Sequence, residues 1–142
     1  MMITKPARAV NGKTWCGPYA LALITGKTYE DVLPFIRRAA KRKRIMGMYN
    51  WEFQKTARRM GLRKFEFKKI PSTQRTNLSN MTDWLRPNRI YVVQVTSHYV
   101  IVNTKDWTMT DNQTEGWIPI SSEHRNGRRR LCAYAEAFRI AD

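Results

Sequence analysis

Two cysteines and two histidines supply most of the nucleophilic and proton-transferring chemistry available to this sequence. Cys16 opens the string CGPYALALITG, in which an early proline and a closing glycine predict a helix over residues 16–25. A helix N-terminus stabilises a thiolate through its unpaired backbone N–H groups and its dipole. Gly17 would also leave room for a substrate backbone. Cys16 is therefore the candidate nucleophile, and the alternative is a buried cysteine that packs as a small hydrophobic residue.

His98 is the candidate base, because a cysteine nucleophile needs a proton acceptor within hydrogen-bond reach. It stands at the head of the apolar run HYVIV, after two polar residues, which predicts a position at the rim of a sheet. The alternative is a histidine packed in the core. The second histidine, His124, lies in a basic, turn-prone segment and is predicted to be at the surface.

Asp111 is the candidate residue for orienting the base. It ends the strand that follows His98, and a tight turn near residues 104–106 would place the two residues opposite each other in an antiparallel hairpin. A carboxylate there could accept the imidazole N–H and leave the other ring nitrogen for the thiol proton. The alternative is a polar strand end formed by Asp111 and Asn112. Asn103 is a weaker candidate because it lies close to the turn.

The elements that must position these residues follow from hydrophobic periodicity. Helical patterns come first, and the period then changes from about 3.6 to 2. Helices are predicted at residues 16–25, from about 31 to 40 and at 50–60, with a short one near 77–85. The second helix has Thr28 or Asp31 as its cap, and Pro34 favours a start near Asp31. Strands are predicted at residues 64–69, 90–96, 98–104, 107–110, 117–120 and 131–140. Pro119 indicates an edge position for the fifth of these, and the alanines of the last one leave a helix as the alternative. This order predicts a single α+β domain over residues 1–142, with N-terminal helices packed on a C-terminal antiparallel sheet.

The string NGKTWCGPYALALITG, the later HYVIV and the MTDN that follows it resemble papain-like cysteine peptidases, most closely the bacteriocin-processing domains that act on double-glycine leaders. The likeness runs in order and spacing from Asn11 to Asp111. It implies a papain-like fold with Cys16 as nucleophile, His98 as base and Asp111 as orienting residue. The family's oxyanion-hole glutamine corresponds to Val10, but Asn11, one residue on, carries the same amide donor. Asn11 and the backbone N–H of Cys16 are thus the candidate oxyanion-hole donors.

The balance of charge is strongly basic, with 26 Lys and Arg against 11 Asp and Glu and a net charge of +15. Such a charge attracts polyanions and anionic surfaces. The basic residues concentrate at residues 37–44, 58–69 and 125–130. Four aromatic residues lie among them: Tyr49, Trp51, Phe65 and Phe67. This mixture is typical of sites for single-stranded nucleic acid, and the alternatives are a solvated surface for the charges and core positions for the aromatic residues.

Two hypotheses of function follow. The first is a cysteine hydrolase that cleaves an amide bond of a peptide or protein substrate through an acyl-enzyme thioester, and the same triad could serve acyl transfer or glutamine deamidation. The second is a catalytically silent protein of the same fold that binds nucleic acid or an acidic protein. No cofactor or metal is predicted, because the sequence has no Gly-rich phosphate loop, CxxC pair or zinc-ligand spacing. Without a signal peptide or membrane span, we expect a cytoplasmic protein with free thiols, and its small, basic character suggests a viral or mobile-element origin.

Overall fold

The computed structural model describes residues 14–45, 47–71, 76–77, 84–114, 116–121 and 130–140. Within these residues the chain forms three helices: α1 (Cys16–Thr25), α2 (Tyr29–Ala40) and α3 (Asn50–Arg59). Six strands follow: β1 (Lys68–Lys69), β2 (Arg89–Val95), β3 (His98–Asn103), β4 (Thr108–Thr110), β5 (Ile118–Pro119) and β6 (Leu131–Arg139). They form one antiparallel sheet in the order β1-β6-β2-β3-β4-β5. The predicted α+β class, with helices before an antiparallel sheet, is confirmed. None of the described helices is long and apolar enough to cross a membrane.

Helix α1 is apolar on every side and is correspondingly central. All its residues from Gly17 to Ile24 are buried, and it contacts α2, α3 and β3. Gly26 ends the helix in the left-handed conformation with φ 70°, as the glycine after an apolar run predicts. The N-terminus of a buried helix, and Cys16 with it, is thereby fixed against the sheet.

Helix α2 begins at Tyr29 rather than near Asp31. The hydroxyl of Thr28 accepts the Asp31 N–H at 3.2 Å and caps the helix. The buried Tyr29 hydroxyl accepts the Trp15 N–H at 2.9 Å, which fixes the start of α2 beside the start of α1. Pro34 therefore lies in the second turn and forfeits one helical hydrogen bond. The cap decides the start, and the prediction based on Pro34 was wrong.

The strand predicted over residues 64–69 is reduced to the two residues of β1. Phe65 is buried and its ring centroid lies 5.4 Å from that of Phe53 on α3. The Phe67 N–H donates to the Gln54 side chain at 2.9 Å instead of to a neighbouring strand. The alternation of aromatic and charged residues therefore reflects packing onto α3, and the strand prediction was wrong for residues 64–67.

Both faces of the sheet are covered, because successive residues of β2 and β3 point to opposite sides. Val92 and Ile101 belong to the cluster that packs against the helices, whereas Val93 and Val102 belong to a second cluster on the other face. The five strands β2 to β6 begin and end within one residue of the predicted limits. β5 is an edge strand, as Pro119 predicted. The short helix predicted near residues 77–85 lies mostly outside the described residues.

Candidate active site

Cys16 is the first residue of α1 and its side chain is partly buried. Burial alone would raise the pKa of the thiol. Hydrogen bonds from the His98 side chain and the Tyr99 backbone, together with the positive charge of His98, outweigh burial and lower the pKa of Cys16 below its ordinary value. The thiolate is therefore favoured at this position.

His98 is the first residue of β3, and its side chain is only 7% exposed. Its Nε2 lies 2.6 Å from Asp111 Oδ2, so the hydrogen bond between the ring and the Cys16 thiol uses Nδ1. Burial by itself would lower the pKa of His98. The hydrogen bonds to Asp111 and Cys16 and the charges of both groups outweigh it and raise the pKa to about 9. Because the pKa of the imidazole is raised and the pKa of the thiol is lowered, transfer of the thiol proton to the ring is favoured, which gives a thiolate–imidazolium pair.

Asp111 is held in place by the turn that follows β4. Its Oδ1 accepts the backbone N–H groups of Gln113 and Thr114 at 2.8 and 2.9 Å. The Thr114 hydroxyl in turn accepts the Asp111 N–H at 3.1 Å. Because these donors fix one carboxylate oxygen, the other oxygen is directed at His98. The structure thus brings the three predicted site residues into one hydrogen-bonded series.

The register of the β3–β4 hairpin differs from the predicted one. Asn103 pairs with Thr108 across a four-residue turn, and Ile101 pairs with Thr110. If this register is continued by one residue, Asp111 lies opposite Val100. The expectation that Asp111 lies directly across from His98 was therefore wrong by two residues. The turn is centred later than predicted. Since side chains alternate with a period of two, a shift of two keeps Asp111 on the same face, where diagonal neighbours are in reach.

Asn112 connects the two halves of the site and was not among the predicted site residues. Its Nδ2 donates to the carbonyl oxygen of Thr14 at 3.0 Å. The turn that carries Asp111 is thereby attached to the chain two residues before Cys16. The sequence signal was the run DNQT directly after a strand, whose residue types favour side-chain-to-backbone turns.

Gly17 has a different environment from the predicted one. A Cβ at this position would lie 2.8 Å from Met48 Sδ, so the glycine makes room for the loop before α3 rather than for a substrate. The Tyr99 hydroxyl lies 3.1 Å from the Met48 carbonyl oxygen and 2.6 Å from Asn50 Oδ1. Met48 is thus held over the first turn of α1, beside Cys16.

An ion pair between the partly exposed Arg42 and the buried Glu52 holds the loop that carries Met48. Arg42 contacts both carboxylate oxygens of Glu52 at 3.0 and 2.9 Å, and the Glu52 side chain is only 3% exposed. Glu52 Oε1 also accepts the Tyr49 N–H at 2.9 Å, and Arg42 contacts the Gly47 carbonyl oxygen. The loop is therefore fastened at three points between α2 and α3.

Several predicted features lie away from this site or outside the described residues. Asn11, Val10, His124 and residues 125–129 are outside them. Phe65 and Phe67 pack with Phe53 in the core, which confirms the core alternative for these two residues, whereas Tyr49 and Trp51 are 71% and 56% exposed. The described residues contain no group of three or more His, Cys, Asp or Glu side chains arranged to hold a metal ion.

Comparison of the chain with protein-family models, with characterised proteins and with solved structures finds no match. What Cys16, His98 and Asp111 can do therefore follows from their own geometry. The Cys16 thiol interacts with the His98 ring, whose Nε2 is bonded to a fixed carboxylate. This arrangement can attack an electrophilic carbon and return a proton to the leaving group.

Proposed function

We propose that the protein is a cysteine hydrolase that cleaves an amide bond in a peptide or protein substrate through an acyl-enzyme thioester. The observation that carries the proposal is the hydrogen-bonded series Cys16–His98–Asp111, in which the pKa of the thiol is lowered and that of the imidazole is raised. A structural cysteine buried in a core would instead have a raised pKa and no base at its sulfur.

In the proposed reaction, the Cys16 thiolate attacks the carbonyl carbon, and His98 carries the proton that came from the thiol. When the tetrahedral intermediate collapses, the C–N bond breaks and His98 protonates the leaving amine. A water molecule then gives its proton to His98 and attacks the thioester, which releases the acid and restores the Cys16 thiolate beside the protonated His98. The Cys16 N–H, in the first turn of α1, and the Asn11 amide are the proposed oxyanion donors.

A papain-like fold is part of this proposal. It is supported by a cysteine at the start of a buried central helix, a histidine at the head of a strand and an aspartate after the neighbouring strand. Acyl transfer and glutamine deamidation would use the same first half of the reaction. They differ from peptide hydrolysis in the group that accepts the acyl carbon or in the amide that is attacked.

The reactivity of Cys16 tests the proposal against an internal control. Cys132 is also a free, partly buried thiol, and its Sγ donates to the Arg130 carbonyl oxygen at 3.7 Å. With iodoacetamide at pH 7 and peptide mapping by mass spectrometry, we expect Cys16 to react about 10–100-fold faster than Cys132. In urea the two rates should converge. Equal rates for Cys16 in native and unfolded protein would refute the proposal.

Turnover distinguishes a hydrolase from a silent protein of the same fold. The release of new amino termini from a pool of unfolded polypeptides is expected from the native chain and from Cys132→Ala, and is expected to be lost in Cys16→Ala. A reactive Cys16 without any such release would favour acyl transfer or deamidation, which ammonia release and amine incorporation would then separate.

A further inference from the structure

A concave surface lies at the end of strand β2 that is remote from His98. It is a groove of about 780 Å³ between the segment after α3, strand β2 and strand β6. Tyr91 of β2 lines it, whereas Val95 of β2 pairs with His98, four residues or roughly 13 Å further along the strand. None of the lining residues belongs to the Cys16–His98–Asp111 series. The groove is therefore separate from the candidate active site.

The groove carries an excess of unpaired positive charge. Four exposed cationic side chains line it: Arg63, Lys64, Lys68 and Arg86. None of them forms an ion pair with a described residue. Of the two lining carboxylates, Glu66 and Glu136, the second lies 2.6 Å from Arg89 and is neutralised by it. The groove thus presents an excess of positive charge that attracts anionic ligands.

An aromatic surface lies between these cations. Trp84 and Tyr134 are partly buried, and their ring centroids are 6.4 Å apart. Tyr91 supports Tyr134 with a centroid distance of 6.2 Å, and its hydroxyl accepts the Arg86 N–H at 2.9 Å. The rings are therefore fixed by contacts with one another and keep part of their surface open to the groove.

We propose that this groove binds single-stranded nucleic acid. The phosphates would contact the four cations, and a base would stack on the surface formed by Trp84 and Tyr134. The volume lies within the ~300–1,000 Å³ of ligand sites, which suits a short stretch of a strand. An acidic polypeptide would use the cations but would leave the aromatic surface without a function. The inference does not rest on the proposed hydrolase, because no lining residue takes part in that chemistry.

Charge reversal inside and outside the groove tests the proposal at equal total charge. Lys64→Glu/Lys68→Glu is compared with Lys27→Glu/Lys43→Glu, two exposed lysines that do not line the groove. The probe is a labelled oligodeoxythymidine of about 12 nucleotides, followed by fluorescence anisotropy at several salt concentrations. We expect the groove variant to bind at least about tenfold more weakly than the control variant, with a shallower salt dependence. Equal losses in the two variants would show diffuse attraction and overturn the proposal.

Two further variants separate stacking and catalysis from charge. Trp84→Leu is expected to weaken binding while leaving its salt dependence unchanged, because it removes a stacking surface and no cation. Cys16→Ala is expected to bind like the original protein, so loss of hydrolysis and loss of binding are distinguishable. Absence of binding at low salt overturns the proposal. The proposal is also overturned if polyglutamate binds as tightly as the oligonucleotide and Trp84→Leu has no effect on binding. That pair of results would assign the groove to an acidic polypeptide. Circular dichroism of each variant verifies that it is folded.

Discussion

The charged side chains at the two ends of strand β2 differ in burial and in pairing. Next to Val95, the charged groups of His98 and Asp111 are buried and bonded to each other, and those of Arg42 and Glu52 are paired above the same end of the sheet. Next to Tyr91, four cations are exposed and unpaired by any described residue. A buried charge is stable only with a partner inside the protein, whereas an exposed charge is solvated and remains available to bind a ligand. The first end is thus suited to internal proton transfer and the second to binding.

Asp111→Asn is expected to have the largest effect, and only at the active-site end. The amide oxygen can keep the two N–H groups of Gln113 and Thr114, which leaves the NH₂ group facing His98 Nε2. Nε2 must then accept a hydrogen bond, so the proton moves to Nδ1 and the ring no longer serves as a base for Cys16. We expect turnover and native alkylation of Cys16 to fall by about 10²–10⁴-fold.

The matched control for that substitution is Asp106→Asn. Asp106 is exposed in the turn between β3 and β4, where Oδ1 accepts the Thr108 hydroxyl at 2.6 Å. Turnover within about twofold of the original is expected there. A similar loss in both variants would point to hairpin stability as the cause and would contradict the orienting role of Asp111.

Removing the arginine of each arginine–glutamate pair compares how much the pair at each end of β2 contributes to the free energy of unfolding. Arg42→Ala leaves the Glu52 carboxylate, 3% exposed, without its guanidinium and is expected to lower the free energy of unfolding by about 2–4 kcal/mol. Arg89→Ala leaves Glu136, 47% exposed, in contact with water and is expected to cost about 0–1 kcal/mol. Urea denaturation of the two variants measures the difference. Equal losses would contradict the contrast between a closed and an open end.

The pH profile separates the ends without any substitution. The thiolate forms as the pH rises through the lowered pKa of Cys16, and the imidazolium is lost as the pH rises through about 9. Turnover is therefore expected to rise as the thiolate forms and to fall about tenfold per unit above pH 9, where His98 lacks the proton for the leaving group. Alkylation of Cys16 needs only the thiolate and is expected to persist there. An alkaline limb that is unchanged in Asp111→Asn would contradict the assignment to His98.

The active-site end was more accessible to sequence reasoning than the groove. Cys16 and His98 start regular elements whose periodicity is visible in the sequence, so their positions followed from the elements. The register of Asp111 depended on where a four-residue turn is centred, which alternation does not determine. The groove joins segments distant in sequence, such as Lys64, Trp84 and Tyr134, through strand order, and strand order is not encoded in any local pattern.

Irregular packing limited the prediction in a similar way at Phe65 and Gly17. The alternation in residues 64–69 predicted a strand, but Phe65 and Phe67 pack onto Phe53, and tertiary contact overrode the local pattern. Gly17 was interpreted as an opening for substrate because its long-range neighbour, Met48, cannot be identified from the sequence alone. Both errors concern contacts between segments far apart in the chain.

Gly17→Ala has the smallest expected effect and examines how tightly the active-site end is packed. An alanine within a helix is usually more stable than a glycine by about 1 kcal/mol. Here the new Cβ would lie 2.8 Å from Met48 Sδ, and the Met48 carbonyl oxygen is held near the Tyr99 hydroxyl, so the loop cannot simply withdraw. Overpacking typically costs about 1–3 kcal/mol, so we expect a net loss of about 1 kcal/mol in the free energy of unfolding.

Gly47→Ala is the control, since a Cβ there meets nothing within 4 Å and its φ is not positive. Gly17→Ala/Met48→Ala should recover stability relative to Met48→Ala alone, because the clash is removed and the helix preference remains. A stabilising effect of Gly17→Ala by itself would mean that Met48 leaves the first turn of α1 open, and Gly17 would then regain its role as an approach for substrate.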